Sequence, residues 1–292
     1  MRAMQPQRQQ LLDGRWHFHY GPIDLIISAA GERGAVDRAL SACWLRFAQI
    51  LPELVAELSL LRQPLKQMIW MTSPVAHRMV RACLPHRAQF ITPMAAVAGA
   101  VADELIVFFA AEPEIKRASI NNGGDIALHL AAGHRYTVGR VSDIANPAAE
   151  SQACFAIDAA MPVRGIATSG WRGRSMSLGI ADSVTVLADC AAHADAAATM
   201  IANAVDVQHE SIQRAPANTL KDDTDLGERL VTTAVGVIPA VLIEQALDNG
   251  AVYARQLQDE SVIFAAWLTL QGQHRFVGKT PDRFSLPSMR AA

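Results

Sequence analysis

The sequence predicts an α+β fold in which a strand-rich centre is packed by helices. Short alternating apolar segments fill residues 118–188, separated by glycine or polar turns. Apolar residues at helical spacing lie on both sides of that run. With 51% hydrophobic and 18% charged residues, the 292-residue chain can bury a sizeable core. We therefore expect a single domain over residues 1–292.

The first part of the chain is predicted to be a hairpin followed by helices. Residues 16–20 and 23–29 have strand alternation on either side of a Gly-Pro turn. Helical spacing follows over residues 36–47. Pro52 is expected to interrupt it, and residues 53–61 continue as a second helical piece.

Two further helices precede the strand-rich centre. Ser73 and Pro74 have the residue types of an N-cap and a first helical position, and Pro85 ends that helix. Residues 91–110 form the next helix, and its first half contains almost only small residues. Such a helix either packs tightly or lies beside a ligand.

The centre and the C-terminal part complete the predicted order. The expected central strands are residues 118–121, 125–130, 135–141, 153–159, 165–169 and 183–188. An alanine-rich helix over 190–205 and a polar loop over 209–225 follow. A helix over 239–258, with Gly250 as a break, and a hairpin of 261–270 with 274–280 end the pattern, so that the C-terminal helix and hairpin occupy about 239–280.

Composition and charge exclude several function classes. The formal net charge is −2 and the basic residues are scattered, which indicates no nucleic-acid partner. The sequence pattern predicts no apolar run long enough to cross a membrane and no signal core at the N-terminus, so we expect a cytoplasmic protein. The four cysteines are far apart and form no CxxC, which argues against a disulfide frame or a zinc site. The apolar stretch at 54–61 would suit a homodimer face or the core.

The helix at 190–205 carries the sharpest pattern, ADAAAT. Asp195 and Thr199 are four residues apart, so they lie on one helix face, and Asn203 extends that stripe. A carboxylate and a hydroxyl one turn apart suit Mg²⁺ or Ca²⁺. Alternatively, Asp195 caps a helix or faces solvent and Thr199 bonds back to its own helix.

A second candidate site lies in residues 164–175, RGIATSGWRGRS. A strand runs into Thr168, Ser169 and Gly170, and Arg172 and Arg174 follow. Backbone amides, hydroxyls and guanidinium groups together are typical of an anion cradle. A solvated hairpin loop with surface arginines is the alternative.

A third candidate is the turn before the strand at 125–130. Asn121, Asn122, Gly123, Gly124 and Asp125 exceed the two residues that a hairpin turn requires. The second glycine would let a ligand lie against the backbone, and the aspartate would hold a hydroxyl or a metal-bound water. An ordinary turn is the alternative.

The histidines give no clear metal pattern. His17 and His19 share one strand face, where they either chelate a metal or are solvated. His129 and His134, near the turn and its strand, are the general-base candidates, and neither they nor His193 have metal-ligand spacing.

Taken in order, four local motifs resemble the ApbE-type flavin transferases, the FAD:protein FMN transferases once described as thiamine-biosynthesis lipoproteins. Met94–Asp103, MAAVAGAVAD, is similar to the family's GAIAKGYAVD. NNGGD is similar to its GGD turn, and ATSG at 167–170 to its ATSG turn. SVTVLA followed by ADAAAT is similar to its strand and ADAxxT helix. The resemblance covers about residues 90–206.

The resemblance implies a domain that binds FAD or FMN beside a divalent ion, Mg²⁺ in particular. By analogy the ion's ligands are Asp195, Thr199 and the backbone carbonyl of Ala95. Gly123 and Gly124 would then approach the nucleotide, and Asp125 would position it. The partner is accordingly a small nucleotide or flavin.

Departures from the family concern the reaction. The longer loop with a histidine and a DPxTG-like turn, which the family has after ATSG, is absent from WRGRSMSLGIAD, and the family's lysine and tyrosine are replaced by Ala98 and Ala100. The lipoprotein signal is also absent. The chain is identified as a member of an uncharacterised soluble branch.

Three functions follow as hypotheses. The first is divalent-ion-dependent binding of a flavin or related nucleotide, with Arg172 and Arg174 as anion clamps in the shortened loop. The second is FMN transfer to a protein threonine, or hydrolysis of FAD to FMN and AMP. The third is a non-enzymatic interaction protein with a vestigial site.

Overall fold

A nine-stranded antiparallel sheet forms the centre of the protein in a computed structural model that describes residues 5–139 and 154–278. Its strands are β1 Gln7–Gln10, β2 Trp16–Tyr20, β3 Ile23–Gly31, β4 Ile115–Asn122, β5 Asp125–Leu130, β8 Gly165–Ser169, β9 Ser183–Ala188, β12 Ala265–Leu270 and β13 Gln273–Gly278. They are hydrogen-bonded in the order β1-β2-β3-β4-β5-β8-β9-β12-β13. The chain therefore enters the sheet at one edge and leaves it at the other.

Four further strands within the described residues form two separate two-stranded antiparallel sheets. They are β6 Arg135–Gly139 with β7 Cys154–Asp158, and β10 Ile212–Pro216 with β11 Leu230–Val235. Residues of β6 and β7, including Val138 and Ile157, pack with Leu128 and Leu187 into an apolar cluster. This cluster covers the part of the sheet around β5, β8 and β9.

The helices build the main core against the sheet. They are α1 Arg33–Ala56, α2 Leu58–Leu61, α3 Pro74–Cys83, α4 Val97–Ala110, α5 Ala191–Ala204, α6 Ala217–Leu220 and α7 Ala240–Asp259. One cluster joins α1, α3 and α4 to β2–β4 and contains the fully buried Phe18, Phe47 and Phe109. A second joins α5 and α7 to β8, β9 and β12 and is rich in alanine. The mixture of helices and an antiparallel sheet confirms the predicted α+β class.

Several predicted boundaries are wrong. Pro52 lies inside α1, because the buried Ile50 and Leu54 continue the apolar face on both sides of it. Gly250 lies inside α7, where a Cβ would stand 2.4 Å from a methyl carbon of Val205, so this glycine permits close packing rather than ending a helix. The predicted loop at 209–225 contains β10 and α6.

Other predictions meet the limits of the described chain. The ends of the predicted strands at residues 140–141, 153 and 279–280 lie outside the described residues. The predicted hairpin across residues 271–273 is confirmed by the pairing of β12 with β13.

Two helical segments have the length and composition of a membrane span, contrary to the prediction from the sequence pattern. They are Arg33–Ala56 and Pro93–Ala110. Phe47 of the first and Phe109 of the second are fully buried in the protein core. A buried core helix meets the same criterion of length and hydropathy.

Candidate functional site

Residues from all three sequence motifs meet in one pocket of about 300 Å³. Asp195 and Thr199 line it from α5, and Asp125 lines it from the first position of β5. Ala95, in the 3₁₀ turn before α4, and Arg174 complete the predicted residues on its wall. We call this the aspartate pocket. Asn203, one turn beyond Thr199, lines it too.

Asp195 is fixed by the start of the neighbouring helix. Its carboxylate accepts a hydrogen bond of 2.9 Å from the backbone N–H of Gly99, in the first turn of α4. A Cβ on Gly99 would stand 2.3 Å from the carbonyl oxygen of Ala191, so only glycine allows α4 and α5 to approach this closely. Inside an α-helix an N–H donates to the carbonyl four residues earlier, which for Gly99 would be that of Ala95. Here the Gly99 N–H donates to Asp195. The small residues of this stretch thus serve tight packing and also line the pocket.

Asp103 makes the reciprocal contact from α4 to α5. Its two carboxylate oxygens accept from the backbone N–H groups of Ala191 and Ala192, at 2.9 Å and 2.8 Å. Only 6% of Asp103 is exposed. Each helix therefore supplies an aspartate to the N-terminal amides of the other, where negative charge is favoured.

The electrostatics of the aspartate pocket are those of two carboxyl groups sharing one partly buried space. Burial raises the pKa of Asp125 to about 7, and a backbone hydrogen bond from Thr168 and the charge of Arg174 oppose that shift. Burial, and then the charge of Asp125, raise the pKa of Asp195 well above its ordinary value. Two neighbouring carboxylates repel each other when both are ionised. A bound cation would favour the doubly ionised form.

The donor set fits a hard divalent cation. Asp125 and Asp195 offer carboxylate oxygens, Thr199 offers a hydroxyl and Ala95 a backbone carbonyl, all from residues on the wall of the same pocket. Oxygen ligands of this mixture are those that Mg²⁺ and Ca²⁺ take in proteins. Among these four, Asp125 is a candidate ligand that the spacing within α5 did not identify.

The glycine pair forms a two-residue hairpin turn. Asn122 pairs with Asp125 across it, and Gly123 and Gly124 have φ values of +70° and +118°. The side-chain oxygen of Asn121 accepts from the N–H of Gly124 at 2.8 Å. The hairpin alternative is therefore what the backbone shows, and the turn places Asp125 at the pocket.

Asn122 ties the turn to α4. Its side-chain amide donates to the carbonyl of Ala98 at 3.1 Å, and the residue is buried. This asparagine therefore holds β4 against the helix that carries Gly99 and does not face the aspartate pocket.

Arg174 lies across the turn. A Cβ on Gly123 would stand 1.7 Å from a terminal nitrogen of the Arg174 guanidinium, so the absence of a side chain at this position makes room for the arginine. Arg174 also lines a second, more open pocket of about 370 Å³, together with His17, Asp24, Asn121 and both glycines of the turn. We call this the turn pocket. The guanidinium forms a wall common to the two pockets.

The rest of the predicted anion cradle lies outside both pockets. The hydroxyl of Thr168 is 3.0 Å from that of Thr185 on the neighbouring strand. Ser169 ends β8 and is half-buried. A Cβ on Gly170 would stand 2.4 Å from the carbonyl oxygen of Asp182. Arg172 lies over the ring of Trp171, 4.8 Å from its centroid. Thr168 still contributes to the site, through the backbone hydrogen bond to Asp125.

One wall of the aspartate pocket comes from a segment that the sequence did not connect with the motifs. Lys221, Asp223 and Asp225 line the pocket from the stretch between α6 and β11. Asp225 accepts a short hydrogen bond from the hydroxyl of Thr92, and Asp223 forms an ion pair with Arg62. The acidic run of residues 222–225 was a visible signal, but nothing in its spacing relates it to α5.

The histidines fall into three settings. His129 and His134, the predicted base candidates, line neither pocket, and His129 bonds to the carbonyl of Ile115 at 3.1 Å. His193 is 2.7 Å from Asp189, and their ligand atoms lie within 4.8 Å of the Cys190 sulfur. Burial raises the pKa of that thiol. His17, by contrast, lines the turn pocket.

A family model described as "AbpE bacteria" matches residues 5–276 of the chain. The chain is also 35% identical over 126 residues to a UPF0280 protein of Methanococcoides burtonii, covering 43% of this chain and 51% of that protein. It is 38% identical over 143 residues to a UPF0280 protein of Methanopyrus kandleri, covering 48% and 54%. The match therefore spans about half the length of these curated relatives.

Two solved structures that align with most of this chain are described as flavin transferases. The ApbE flavin transferase of Vibrio cholerae is 13% identical, with 93% of this chain and 97% of that one covered and a TM-score of 0.42. The ApbE flavinyl transferase of Pseudomonas stutzeri, in its apo form, is 11% identical, with 95% of each chain covered and a TM-score of 0.44.

Proposed function

The chain belongs to the AbpE bacteria family, and from that premise we propose that it binds a flavin nucleotide, or a related phosphate-bearing nucleotide, together with a divalent cation in the aspartate pocket. The observation that carries this proposal is the convergence of Asp125 and Asp195. Two carboxyl groups from separate elements, each with a raised pKa, repel each other when both are ionised. A bound divalent cation would remove that repulsion. The four flavin-transferase motifs supply the class of ligand.

The surroundings of the carboxyl pair suit a pyrophosphate. Arg174 borders the same pocket, as do Arg62 and Lys221. A divalent cation held by carboxylates would meet phosphate oxygens on one side, and a guanidinium would meet them on the other. The apolar part of the wall includes Phe90 and Met94, which offer contact area to a ring system.

The proposal is tested by thermal unfolding with FAD, FMN or ADP, each with and without Mg²⁺. We expect FAD with Mg²⁺ to raise the melting temperature more than either component alone, because a ligand that binds only the folded state stabilises it. Comparison of FMN with ADP assigns the half of the dinucleotide that contributes most. The Asp259→Ala variant, changed at an exposed position at the end of α7, is the control. If none of the three nucleotides raises the melting temperature, the proposal is wrong.

A further inference from the structure

His17 and Asp24 form a hydrogen-bonded pair on the sheet face that borders the turn pocket. His17 is on β2 and Asp24 on the adjacent β3, and Nε2 of the imidazole makes a short contact with Oδ1 of the carboxylate. The side chains are 26% and 47% exposed, so both reach solvent. Neither alternative raised by the sequence, a chelating His17–His19 pair or a merely solvated face, includes this carboxylate.

The pair fixes which ring nitrogen is available. An ionised carboxylate only accepts hydrogen bonds, so Nε2 carries the proton and Nδ1 carries the lone pair. Nδ1 lies 3.3 Å from the side-chain nitrogen of Gln9, a long contact to an exposed residue of the edge strand β1. A hydroxyl group can replace such a partner. A neutral imidazole held in one tautomer by a carboxylate, which also stabilises the imidazolium, is the arrangement of a general base.

The position of the pair relates it to the proposed ligand. The turn pocket contains His17, Asp24, Gly123 and Gly124, and the next residue in the chain, Asp125, lines the aspartate pocket. Arg174 borders both. A phosphate-bearing ligand in contact with Arg174 would therefore have the carboxyl pair on the side of the aspartate pocket and the imidazole on the side of the turn pocket.

We propose that His17, oriented by Asp24, is the general base of this site and accepts the proton of a hydroxyl that attacks phosphorus. The inference rests on the proposed nucleotide binding. With FAD and water, the water oxygen forms a bond to the phosphorus of the FMN half as its proton passes to Nδ1. The P–O bond of the pyrophosphate bridge breaks, and its electron pair leaves with AMP. The products are FMN and AMP, and a protein threonine hydroxyl in place of water gives FMN-threonine and AMP.

The experiment follows AMP and FMN by chromatography after incubation of the full chain with FAD and Mg²⁺. We expect His17→Ala to slow AMP release by roughly a hundredfold or more. His19→Ala is the matched control, because His19 lies two residues along the same strand with its ring centroid 6.3 Å from that of His17. The control should stay within about twofold of the wild type, since His19 does not line the turn pocket and a side chain outside the site contributes little to the reaction. Added imidazole should restore part of the rate of His17→Ala only.

Binding is measured in parallel so that the two proposals fail separately. If FAD raises the melting temperature of the wild type but no AMP appears, His17 is not a base for this reaction and the binding proposal stands. A His17→Ala variant with the wild-type rate overturns the inference as well. So does a slow His17→Ala variant that imidazole does not rescue and that FAD no longer stabilises, because His17 would then serve binding or folding. If FAD stabilises no variant and not the wild type, the proposed function itself has failed.

Discussion

Asp103 and Asp195 each accept hydrogen bonds from backbone amides of the other's helix. Asp103 of α4 accepts from the first amides of α5, and Asp195 of α5 accepts from an amide in the first turn of α4. The two carboxylates differ in whether a ligand can reach them. Asp103 has both oxygens occupied by backbone and is 6% exposed, whereas Asp195 lines a pocket beside a second carboxyl group.

The comparison shows that a carboxylate bound to helix amides can serve either the stability of the helix junction or the binding of a ligand. A carboxylate whose bonds are all internal stabilises the helix junction and has nothing left for a ligand. A carboxylate that binds backbone amides and also faces a pocket is held in position and can still offer an oxygen to a cation. The α4–α5 junction therefore acts as the rigid support of the site, with Asp103 as its closed side and Asp195 as its open side.

The largest expected effect is that of Asp103→Ala on stability. The change leaves the N–H groups of Ala191 and Ala192 without their acceptor in the core. We expect a loss of roughly 3 kcal/mol in the free energy of unfolding, because buried donors that lose a charged partner are costly. Urea unfolding followed by circular dichroism measures it. A loss no larger than that of Asp195→Ala would remove the distinction between the two aspartates.

Asp195→Ala should have a small effect on stability and a large effect on the binding of the cation. The lost backbone interactions, with the N–H groups of Gly99 and Ala98, lie next to a pocket that water can enter, so we expect a destabilisation of about 1 kcal/mol. The Mg²⁺-dependent part of the melting-temperature rise with FAD should disappear, since a principal cation ligand is gone. Thermal unfolding with and without Mg²⁺ gives both results, with Asp259→Ala as the control. Retention of the Mg²⁺ effect would show that the cation binds elsewhere.

The sequence anticipated the open side better than the closed side for a physical reason. Asp195 and Thr199 are one helical turn apart, so local geometry alone brings them together. Asp103 is 88 and 89 residues from the amides it binds, and no local spacing reports such a contact. The sequence therefore places Asp103 only in a helix of small residues and at the end of the motif that resembles GAIAKGYAVD.

The same distinction holds for the rest of the pocket. The two-residue turn at Gly123 and Gly124 follows from local residue types, and so does the strand that begins at Asp125. Asp225 meets Thr92 across 133 residues, and its presence in the wall depends on how the whole chain folds. The convergence of residue 125 with residue 195 was expected from the motif resemblance and not from spacing.

A smaller effect should separate two arginines of the predicted anion cradle. Arg174 borders the aspartate pocket, while Arg172 lies over Trp171 and lines neither pocket. We expect Arg174→Ala to weaken FAD binding by about tenfold, the effect of one charge-assisted hydrogen bond to phosphate. Arg172→Ala is the matched control and should leave the dissociation constant unchanged. Titration by fluorescence measures both, and equal effects would place the ligand outside the open side of the junction.

The smallest expected effect is a pH dependence of stability that comes from Asp103, the closed side of the junction. Burial raises the pKa of Asp103, and the hydrogen bonds from Ala192 and Ala191 oppose that shift. A carboxyl group whose pKa is higher in the folded than in the unfolded state binds more protons when folded. Its contribution to stability is therefore complete below the unfolded value and decreases as the pH rises through the folded value.

Asp103→Asn tests this directly, because the amide keeps one acceptor oxygen and has no charge to lose. The stability of the wild type relative to Asp103→Asn should fall as the pH is raised from below the ordinary range of aspartate towards neutrality. Urea unfolding of both proteins over that interval measures the difference, and their shared groups cancel in the subtraction. A difference that rises with pH would mean that the two amides of α5 favour the carboxylate more than burial disfavours it. Asp103 would then be a stabilising anion at the helix N-terminus. Its contribution to the free energy of unfolding would come from its charge rather than from hydrogen-bond geometry.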